Sequence, residues 1–576
     1  MKRILFFIHY NQYNKLSDYV VYLLKNVKHI YKRLIFITNS SISENDLLRI
    51  KSLYDSIIFR DNQGFDFGAW KEAILNEGWD KLSEYDNLTI MNDTCFGPLF
   101  DLESIYIMDE IRKTDFWGMS IYPKSKHGMP GSNKSIPEHI QSYFMCFNNN
   151  VIQSKVFHSF WNNVKYIEDV NKIIKNYETK LTQILSNNGF YYIDLLSFNN
   201  KKYLSDTNYA HFLPNVIIKN NIPFLKIKAF VYNQNSELIF NLLKKKTNYP
   251  IELINNHLNN ILNPSQTIQK LNKYISPVNS NSNDISIKVA IHLHVFYIDI
   301  FEMYLKYLNS ISITFDLFIT TDTTDKELQI QKCLENSKIL NHLKQIIIIE
   351  NIGRDILPWL TISNILNKYD IVGHFHTKKS IHLNDNFENT WLLDILENLL
   401  SPINFIMKTF QDNSDIGIVI PDISSVFRLD TYIHYKDKKD LKSLNNIWKK
   451  LNCQKYLDFK LLDTIIMSYG NMFWYRPNAL NALFNYGYSN FNFPPEPISN
   501  NSTLAHLLER LPVYIAWNEG YDYKIITSNK YDSNSFIYNA QINKLYNEIT
   551  KSKSYRLGEL FVAPLRYMKR KIKSLI

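Results

Sequence analysis

The sequence of 576 residues predicts an α/β protein, with two tandem Rossmann-type domains built on parallel sheets and a C-terminal amphipathic helix. Three observations predict this fold class. The motif Asn-x-Gly-x-Asp-x-x-x-Trp occurs twice, at 62–70 and at 351–359. Each copy follows a short apolar run and precedes a helical pattern, as in alternating strands and helices. The length exceeds one ordinary core and is typical of two or three domains.

Composition and charge exclude several classes of protein. The net charge is +10, and the stretch 551–576 carries +7 of it, as eight basic residues and one glutamate. The remaining body is nearly neutral, which argues against a nucleic-acid-binding protein and predicts no nucleic-acid partner. The four cysteines lie far apart without a Cys-x-x-Cys pair, so neither a zinc knuckle nor a disulfide framework is indicated.

The two copies repeat the same order of strands and helices. Each begins with an apolar strand that ends in Ile-His, continues to a strand that ends in Ile-Thr, and then reaches the repeated motif. A Tyr-Asp pair precedes the next strand in both. Ligands bind beyond the carboxyl ends of parallel strands. The polar residues at these ends are His9, Thr38, Asn62, Asn92 and Asp93 in the first copy, and His292, Thr320, Asn351, His374 and His376 in the second.

The repeat sets the predicted domain boundaries. We expect a first domain at 1–240, a helical connector at 241–283, a second domain at 284–545, and a basic amphipathic tail at 546–576. In the tail, apolar residues recur at intervals of three and four, with basic residues between them. Such a helix can lie on an anionic membrane surface, or its apolar stripe can pack on the body.

The repeated motif has two interpretations. In the structural one, Gly64 and Gly353 allow a tight turn, and Asp66 and Asp355 cap the helices that follow; Phe65 and Trp70 would then form a hydrophobic staple. In the functional one, the helix N-terminus faces an anionic ligand such as a diphosphate. The asparagines, and an arginine at 354, are explained only by the functional interpretation.

The segment "MNDTCFGP" places an acid directly after a buried strand. Asp93, helped by Asn92, is therefore a candidate ligand for Mg²⁺ or Mn²⁺ in the first domain, because Mg²⁺ needs few protein ligands when phosphates supply the rest. Asn-Asp is also ordinary turn chemistry.

The second copy has no acid at this place, and its cofactor is left open. His374 and His376 share one face of a strand and could bind a metal ion. Alternatively, Arg354, Lys378 and Lys379 could neutralise a diphosphate leaving group without any metal.

The motifs "NQGFDFGAWKEAI", "MNDTCFGP", "NIGRDILPW", "HFHTKKS", "GNMFWYRPNAL" and "LAHLLERLP" resemble those of the rhamnan synthesis protein F family. The resemblance covers most of the chain and both copies. It implies GT-A-like glycosyltransferase domains that act in the synthesis of rhamnan, O-antigen or capsule. It further implies transfer of a sugar, typically L-rhamnose from dTDP-L-rhamnose, to a lipid-linked glycan. The chain departs from the usual GT-A pattern because it has no Asp-x-Asp at these strand ends, which puts metal dependence in doubt.

The expected chemistry is inverting transfer, in which a carboxylate deprotonates the acceptor hydroxyl. The candidate bases are Asp66 and Glu178 in the first copy and Asp355 and Glu509 in the second, with Glu138 and Glu496 as further candidates. Donor binding is expected from the strand-end residues named above together with Gly64, Gly353, Arg354, Lys378 and Lys379.

Three organisations remain open. Two active domains would add sugars in alternation, or one domain would be active beside a degenerate partner that guides the acceptor. The chain could also be a non-catalytic scaffold of a synthesis complex at the membrane. The expected location is cytoplasmic, peripheral on the inner face of the cytoplasmic membrane through 551–576.

Overall fold

The alternating strands and helices form two sheets in the computed structural model of the protein. The structure describes residues 1–124, 136–199, 208–233, 236–277, 285–335, 337–378, 385–424, 438–487, 489, 491–496, 502–527, 545, 548–558 and 562. The chain divides into an N-terminal unit, 1–258, and a C-terminal unit, 259–576. The division falls inside the expected connector, and the expected domain boundaries remain predictions.

The N-terminal unit contains a seven-stranded sheet and two short two-stranded sheets. Its strands are β1 Arg3–His9, β2 Arg33–Thr38, β3 Ser56–Phe59, β4 Asn87–Asn92, β5 Cys95–Phe96, β6 Phe116–Gly118, β7 Ile121–Tyr122, β8 His139–Ile140, β9 Phe144–Asn148, β10 Tyr192–Asp194 and β11 Leu225–Lys226. The order in the large sheet is β10-β6-β9-β4-β1-β2-β3, while β11 pairs with β5 and β7 with β8.

The helices of this unit, together with the one that spans the division, are α1 Asp18–Val27, α2 Glu44–Ile50, α3 Phe65–Glu77, α4 Trp79–Leu82, α5 Glu103–Tyr106, α6 Asp109–Arg112, α7 Asn149–Ile152, α8 Lys155–Asn162, α9 Val170–Ile173, α10 Thr179–Asn187, α11 Leu195–Asn199, α12 Tyr209–Phe212, α13 Pro214–Lys219, α14 Ile227–Tyr232, α15 Ser236–Lys246 and α16 Ile251–Ile261. A π-helical segment, Ile174–Glu178, joins α9 to α10.

The C-terminal unit contains an eight-stranded sheet. Its strands are β12 Tyr274–Ile275, β13 Val289–His294, β14 Asp316–Thr321, β15 Leu343–Ile348, β16 Ile371–His376, β17 Ile416–Pro421, β18 Phe473–Tyr475 and β19 Asp522–Ile526. The sheet order is β12-β19-β17-β18-β16-β13-β14-β15. Its helices are α17 Pro264–Thr267, α18 Ile298–Asn309, α19 Thr324–Glu335, α20 Ile356–Thr361, α21 Ser363–Leu366, α22 Asp385–Leu399, α23 Ile403–Asp412, α24 Lys438–Lys450, α25 Asn481–Tyr486, α26 Leu504–Leu508 and α27 Pro512–Asn518.

The two large sheets have the same topology, which confirms the predicted duplication. Strand for strand, the seven-stranded order of the N-terminal unit matches seven consecutive strands of the C-terminal one, and β12 is the addition. The expectation of wholly parallel sheets is wrong in one respect. One strand in each sheet, β9 and its counterpart β18, runs antiparallel to both of its neighbours. The fold class, two α/β units in tandem, is confirmed.

The repeated Tyr-Asp pair has a structural role in both units. The Asp86 carboxylate accepts the backbone N–H of Lys2 at 2.6 Å, and the Asp370 carboxylate accepts that of Lys288 at 2.7 Å. These bonds fix the start of the first strand against the fourth. They also align Lys2 with Lys288, so the two Ile-His pairs that looked equivalent in sequence are offset by three residues.

Each sheet is buried against the helix that carries the motif tryptophan. Trp70 of α3 and Trp359 of α20 are both almost completely buried in their cores. Cores of this size bury enough apolar surface to fix the strands, and the strand ends with them. Within the part of the chain that the structure describes, no helix is long and apolar enough to span a membrane. Residues 551–558 of the tail are exposed, and 559–576, except 562, lie outside the described residues.

Candidate functional site

Polar side chains meet where β1, β2 and β4 of the N-terminal unit end. His9 is buried, and its Nδ1 lies 3.1 Å from Oγ1 of the buried Thr38. Burial lowers the pKa of His9 to about 4, so the ring is neutral at pH 7. Asn62 accepts a hydrogen bond from Asn39 at 2.7 Å and so ties the motif loop to the end of β2. Thr38 and His9 are therefore buried beneath the strand ends and contact each other there.

The motif loop adopts the same strained backbone in both units. Gly64 and Phe65 have φ of 71° and 50°, and Gly353 and Arg354 have φ of 68° and 57°. A left-handed conformation costs a non-glycine residue about 1–2 kcal/mol. Strain of this kind persists where the surrounding structure fixes it, and it clusters at functional sites. The repeated motif therefore encodes a specific loop rather than an ordinary turn.

Asp66 does not cap its helix, which corrects the structural interpretation. The N-cap of α3 is Gly64, and Asp66 lies in the first turn. Its Oδ2 instead accepts a hydrogen bond from Nδ2 of Asn92 at 2.8 Å. Burial, with a contribution from Glu178, raises the pKa of Asp66 to about 6 despite the opposing effects of Asn92 and Lys226. Asp66 therefore lies at the strand edge as a carboxyl group that titrates near neutrality.

Asp93 directly follows β4, as expected. Its Oδ2 accepts the backbone N–H of Tyr10 at 3.0 Å, and its carbonyl accepts the hydroxyl of Tyr19 at 2.5 Å. Burial, together with Asp66, raises the pKa of Asp93 to about 7. A divalent cation held by Asp93 stays a prediction. Among the described residues, no group of three or more His, Cys, Asp or Glu side chains could hold a metal ion.

Glu178 comes to this edge from the last residue of the π-helical segment. Its Oε1 accepts the backbone N–H of Ser142 at 3.1 Å and the hydroxyl of Ser142 at 2.9 Å. π-helical segments are rare and often occur at functional sites. Glu138, in contrast, is exposed and accepts a hydrogen bond from the hydroxyl of Tyr192 at 3.1 Å.

Histidines fill the corresponding region of the C-terminal unit. His292 and His374 are fully buried, with their Nδ1 atoms 3.1 Å apart. Oγ1 of Thr320 lies 2.9 Å from both Nε2 of His292 and Nδ1 of His294. Burial holds the pKa of His292 well below its usual value and lowers that of His294 to about 4. His292 and His374 were expected to bind donor, but a ligand at the surface does not reach fully buried rings, so they are interior groups.

Asp355 is enclosed by this histidine cluster. It is 5% exposed, and it occupies the N-cap position of α20 without a side-chain capping bond. Its Oδ2 accepts a hydrogen bond from Nδ2 of Asn471 at 2.7 Å and lies 3.4 Å from Nε2 of His374. Burial favours the neutral acid, but His376, His374 and Asn471 outweigh it and hold the pKa of Asp355 well below its usual value. Asp355 is a buried carboxylate with fixed partners.

The other predicted residues of this unit have different surroundings. Nη1 of Arg354 is 3.1 Å from Nε2 of His506, and the Lys378 ammonium lies 4.2 Å from the ring centroid of Trp391. Nε2 of His376 donates to the carbonyl of Gly470 at 2.7 Å. Asn351 and Glu509 are half-buried. Lys379 lies outside the described residues.

Three residues at these strand edges were not predicted from the sequence. Ser142 and Asn471 each stand two residues before the antiparallel strand, β9 or β18, which brings them beside the predicted aspartate or glutamate. Lys226 comes from β11, more than a hundred residues beyond Asp66 and Asp93. The sequence shows that a polar residue, Ser142 or Asn471, precedes "YFMCFN" and "MFWYRP". Only the pairing of the strands shows that these residues lie at the site.

Trp474 and Tyr475 of β18 are aromatic residues near the polar cluster that could in principle contact a sugar. Both are fully buried, and Nε1 of Trp474 donates to the carbonyl of Leu399 at 2.9 Å. They belong to the core.

The chain matches the family described as Rhamnan synthesis protein F over residues 34–521. It is 28% identical over 232 residues to the uncharacterized protein WxcX of Xanthomonas campestris pv. campestris, an alignment that covers 38% of this chain and 30% of that protein. It is 25% identical over 205 residues to the uncharacterized protein y4gN of Sinorhizobium fredii, which covers 35% of this chain and 49% of that protein. The aligned part is thus between about a third and a half of these relatives.

Among solved structures, the glycosyltransferase GlyE of Streptococcus pneumoniae aligns with a TM-score of 0.23 at 12% identity, covering 67% of this chain and 88% of GlyE. The galactosyltransferase LgtC, solved with donor and acceptor sugar analogs, aligns with a TM-score of 0.22 at 15% identity, covering 43% of this chain and 98% of LgtC. Similarities at these TM-scores support no conclusion about this chain.

Proposed function

The chain belongs to the Rhamnan synthesis protein F family, and from that premise we propose that it is a glycosyltransferase of bacterial cell-surface polysaccharide synthesis, acting on rhamnan, O-antigen or capsule. The donor is a nucleotide-diphosphate sugar, with dTDP-L-rhamnose as the first candidate, and the acceptor is a lipid-linked glycan. One observation carries the proposal: the strand edge of the N-terminal unit brings together Asp66, Asp93 and Glu178 from three distant segments. Sugar transfer needs carboxylates at this place as base and as hydroxyl acceptors.

The proposed reaction is inverting transfer at the N-terminal unit. A carboxylate, with Asp66 as the first candidate, takes the proton of the acceptor hydroxyl while its oxygen attacks the anomeric carbon. The bond from that carbon to the diphosphate oxygen breaks, and the nucleoside diphosphate leaves with the electron pair. Asp66 suits this role because it is half-buried at the edge and fixed through only one oxygen. Asp93 is the residue that would hold a divalent cation, which would supply charge neutralisation at the diphosphate when bound.

A transferase with one active unit fits these sites better than one with two. Asp355 stands at the place of Asp66 in the repeated motif, but it is buried and hydrogen-bonded to Asn471. A base must reach its proton within about 3 Å or through one water, which an enclosed carboxylate does not do. We therefore place transfer in the N-terminal unit and give the C-terminal unit a supporting role, such as guiding the acceptor. Arg354 and Lys378 remain predicted anion-binding residues there.

Membrane attachment is part of the proposal. A lipid-linked acceptor lies at the membrane surface, and the basic tail 551–576 would hold the enzyme on the inner face of the cytoplasmic membrane. The exposure of 551–558 supports this, because these residues are not packed into a core.

The test is mass spectrometry of a synthetic lipid-linked acceptor after incubation with a panel of nucleotide sugars. We expect the acceptor to gain one deoxyhexose mass from dTDP-L-rhamnose, and NMR of the product to show inversion at the anomeric carbon. If no sugar of the panel is transferred and no nucleotide sugar binds, the better interpretation is a non-catalytic scaffold.

A further inference from the structure

Two carboxylates at the edge of the N-terminal unit are each fixed through one oxygen and present the other. Asp66 is held at Oδ2 by Asn92, and Glu178 at Oε1 by Ser142. Both residues are half-buried, and among the described residues neither Oδ1 of Asp66 nor Oε2 of Glu178 has a hydrogen-bond partner. A carboxylate oriented in this way is ready to accept a hydrogen bond from a ligand.

The ammonium of Lys226, which lies over an aromatic ring, is a third charged group of this edge. Lys226 is half-buried on β11, and its Nζ is 5.0 Å from the ring centroid of Tyr143. Within the described part of the chain it makes no hydrogen bond and no ion pair. An ammonium has three donors, and leaving them unsatisfied away from bulk water is costly. The position favours a ligand with hydrogen-bond acceptors.

The partners of all three groups lie where β4 ends and just before β9 begins. Asn92, which holds Asp66, donates its backbone N–H to the carbonyl of Tyr143 at 3.4 Å. Tyr143 carries Lys226 over its ring, and its neighbour Ser142 holds Glu178. The Coulombic influence of Lys226 and Glu178 on Asp66 agrees with this placement.

The charges of the site decide what class of ligand it takes. Two carboxylates outnumber one ammonium, so a bare phosphate would be repelled, and a cationic group would be opposed by Lys226. A neutral sugar ring fits both signs, because each hydroxyl can donate to a carboxylate and accept from an ammonium. We propose that Asp66, Glu178 and Lys226 form a subsite for the hydroxyl groups of a sugar ring, and that the diphosphate of the donor binds outside it.

This inference rests on the proposed function, and it assigns Lys226 to sugar rather than phosphate recognition. The sugar could belong to the donor or to the acceptor, which share this chemistry. Because a hydrogen bond to a charged group is worth about 1.5–3 kcal/mol, removal of one partner should weaken sugar binding by roughly tenfold or more.

The experiment compares a nucleotide with its sugar conjugate. The Kd of dTDP and of dTDP-L-rhamnose, or of the matched pair for whichever donor the wild type turns over, is measured by calorimetry for wild type, Lys226→Met and Glu178→Gln. The KM for the lipid-linked acceptor is measured in parallel. Lys228→Met, at an exposed lysine two residues further on, is the matched control. Unchanged thermal unfolding midpoints show that the variants fold.

We expect both site variants to bind the bare nucleotide within about twofold of wild type. A tenfold loss for the nucleotide sugar identifies the donor ring as occupant, and a tenfold rise in acceptor KM identifies the acceptor ring. The inference is overturned if Lys226→Met weakens the bare nucleotide as much as the conjugate, or if folded variants change neither constant. Wild-type protein that binds and transfers nothing would instead remove the proposed function, and the subsite with it.

Discussion

The two units share a backbone plan but differ in what lies beneath the motif tryptophan. With Lys2 aligned to Lys288 and Asp86 to Asp370, the apolar residues Phe6, Ile8 and Ile90 of the N-terminal unit correspond to His292, His294 and His374. Phe6, Ile8 and Ile90 pack in the core around Trp70. The His374 ring stacks on Trp359 with centroids 4.6 Å apart.

One duplicated loop therefore presents its aspartate in two ways. In the N-terminal unit the residues beneath the motif tryptophan are apolar. Among the described residues, Asp66 has one side-chain hydrogen-bond partner, and it is half-buried at the edge. In the C-terminal unit the corresponding residues are histidines, and Asp355 is part of a buried polar network that includes Asn471. Because buried polar groups need hydrogen-bond partners, the buried histidines and the enclosed Asp355 carboxylate stabilise each other. The same motif therefore provides an accessible acid in one unit and a structural one in the other.

The largest expected effect is on transfer by Asp66→Asn. Loss of a general base typically costs about 10²–10⁴-fold in rate, so kcat should fall by at least about a hundredfold. Asp355→Asn, the matched change in the other unit, should retain kcat within a few-fold in the fraction of protein that stays folded. Steady-state kinetics with the lipid-linked acceptor measure both. Equal losses in the two variants would mean that both units transfer sugar.

Stability should respond in the opposite order. Asp355→Ala leaves the buried Nδ2 of Asn471 without its acceptor, and a buried polar group left without its partner typically costs about 1–3 kcal/mol, or more where the lost partner is charged. Asp66→Ala should cost far less, because its charged form is already disfavoured by burial. Urea unfolding followed by fluorescence gives both values. A greater loss for Asp66→Ala would contradict the contrast between the two aspartates.

The motif glycines should also differ. A Cβ on Gly353 would lie 2.7 Å from Cδ1 of Phe493, whereas one on Gly64 would approach no atom closer than 3.2 Å. Both substitutions strain a left-handed backbone by about 1–2 kcal/mol. Gly353→Ala should therefore cost about 1 kcal/mol more than Gly64→Ala in unfolding free energy. Equal costs would show that the Phe493 side chain moves aside freely.

The pH dependence of stability should separate the units. In the C-terminal unit, His292, His294 and His374 have folded pKa values below the unfolded value of 6.5. The unfolded state then binds more protons, so their contribution is complete above pH 6.5 and is lost as pH falls towards about 4. Each such group contributes at most about 1.4 kcal/mol per pH unit.

In the N-terminal unit three carboxyl groups, Asp66, Asp93 and Asp194, act in the other direction, because the pKa of each is raised in the fold. The folded pKa values of Asp66 and Asp93, about 6 and 7, lie above the unfolded value of 3.8, so these two groups add stability as pH falls. They offset part of the loss from His9, His211 and His257, whose pKa values are lowered by burial. Amide hydrogen exchange at pH 7 and pH 5 should show greater weakening in the C-terminal unit. The reverse pattern would mean that its histidines are protonated in the folded state.

The smallest difference is expected where the units are alike. Asp86→Ala and Asp370→Ala each remove one charged acceptor from a strand N–H, at 2.6 Å and 2.7 Å. Each should cost about 1.5–3 kcal/mol, and the two values should agree within about 0.5 kcal/mol. Denaturant unfolding of both variants checks this. A clear inequality would indicate that the register defined by these bonds is not shared.

Sequence alone predicts the duplication, the strand ends and the motif loop, because periodicity and turn residues are local signals. It does not predict β9 and β18, whose apolar runs look like any buried strand, and it misaligns His9 with His292. The Ile-His letters coincide by chance, while the true register is set by Asp86 and Asp370, far along the chain. The position of Lys226 is not predictable from the sequence for the same reason, because only the pairing of β11 with β5 brings this residue to the edge.

We expect donor to bind and react at the strand edge of the N-terminal unit, and not at Asp355. Hydrogen exchange of the full chain with and without dTDP-L-rhamnose, or the donor that the wild type uses, tests it most directly. We expect protection in peptides that contain Asn62–Asp66 and Asn92–Cys95, with little change around Asp355. Protection confined to the loop at 351–355, with none at 62–66, would contradict the claim.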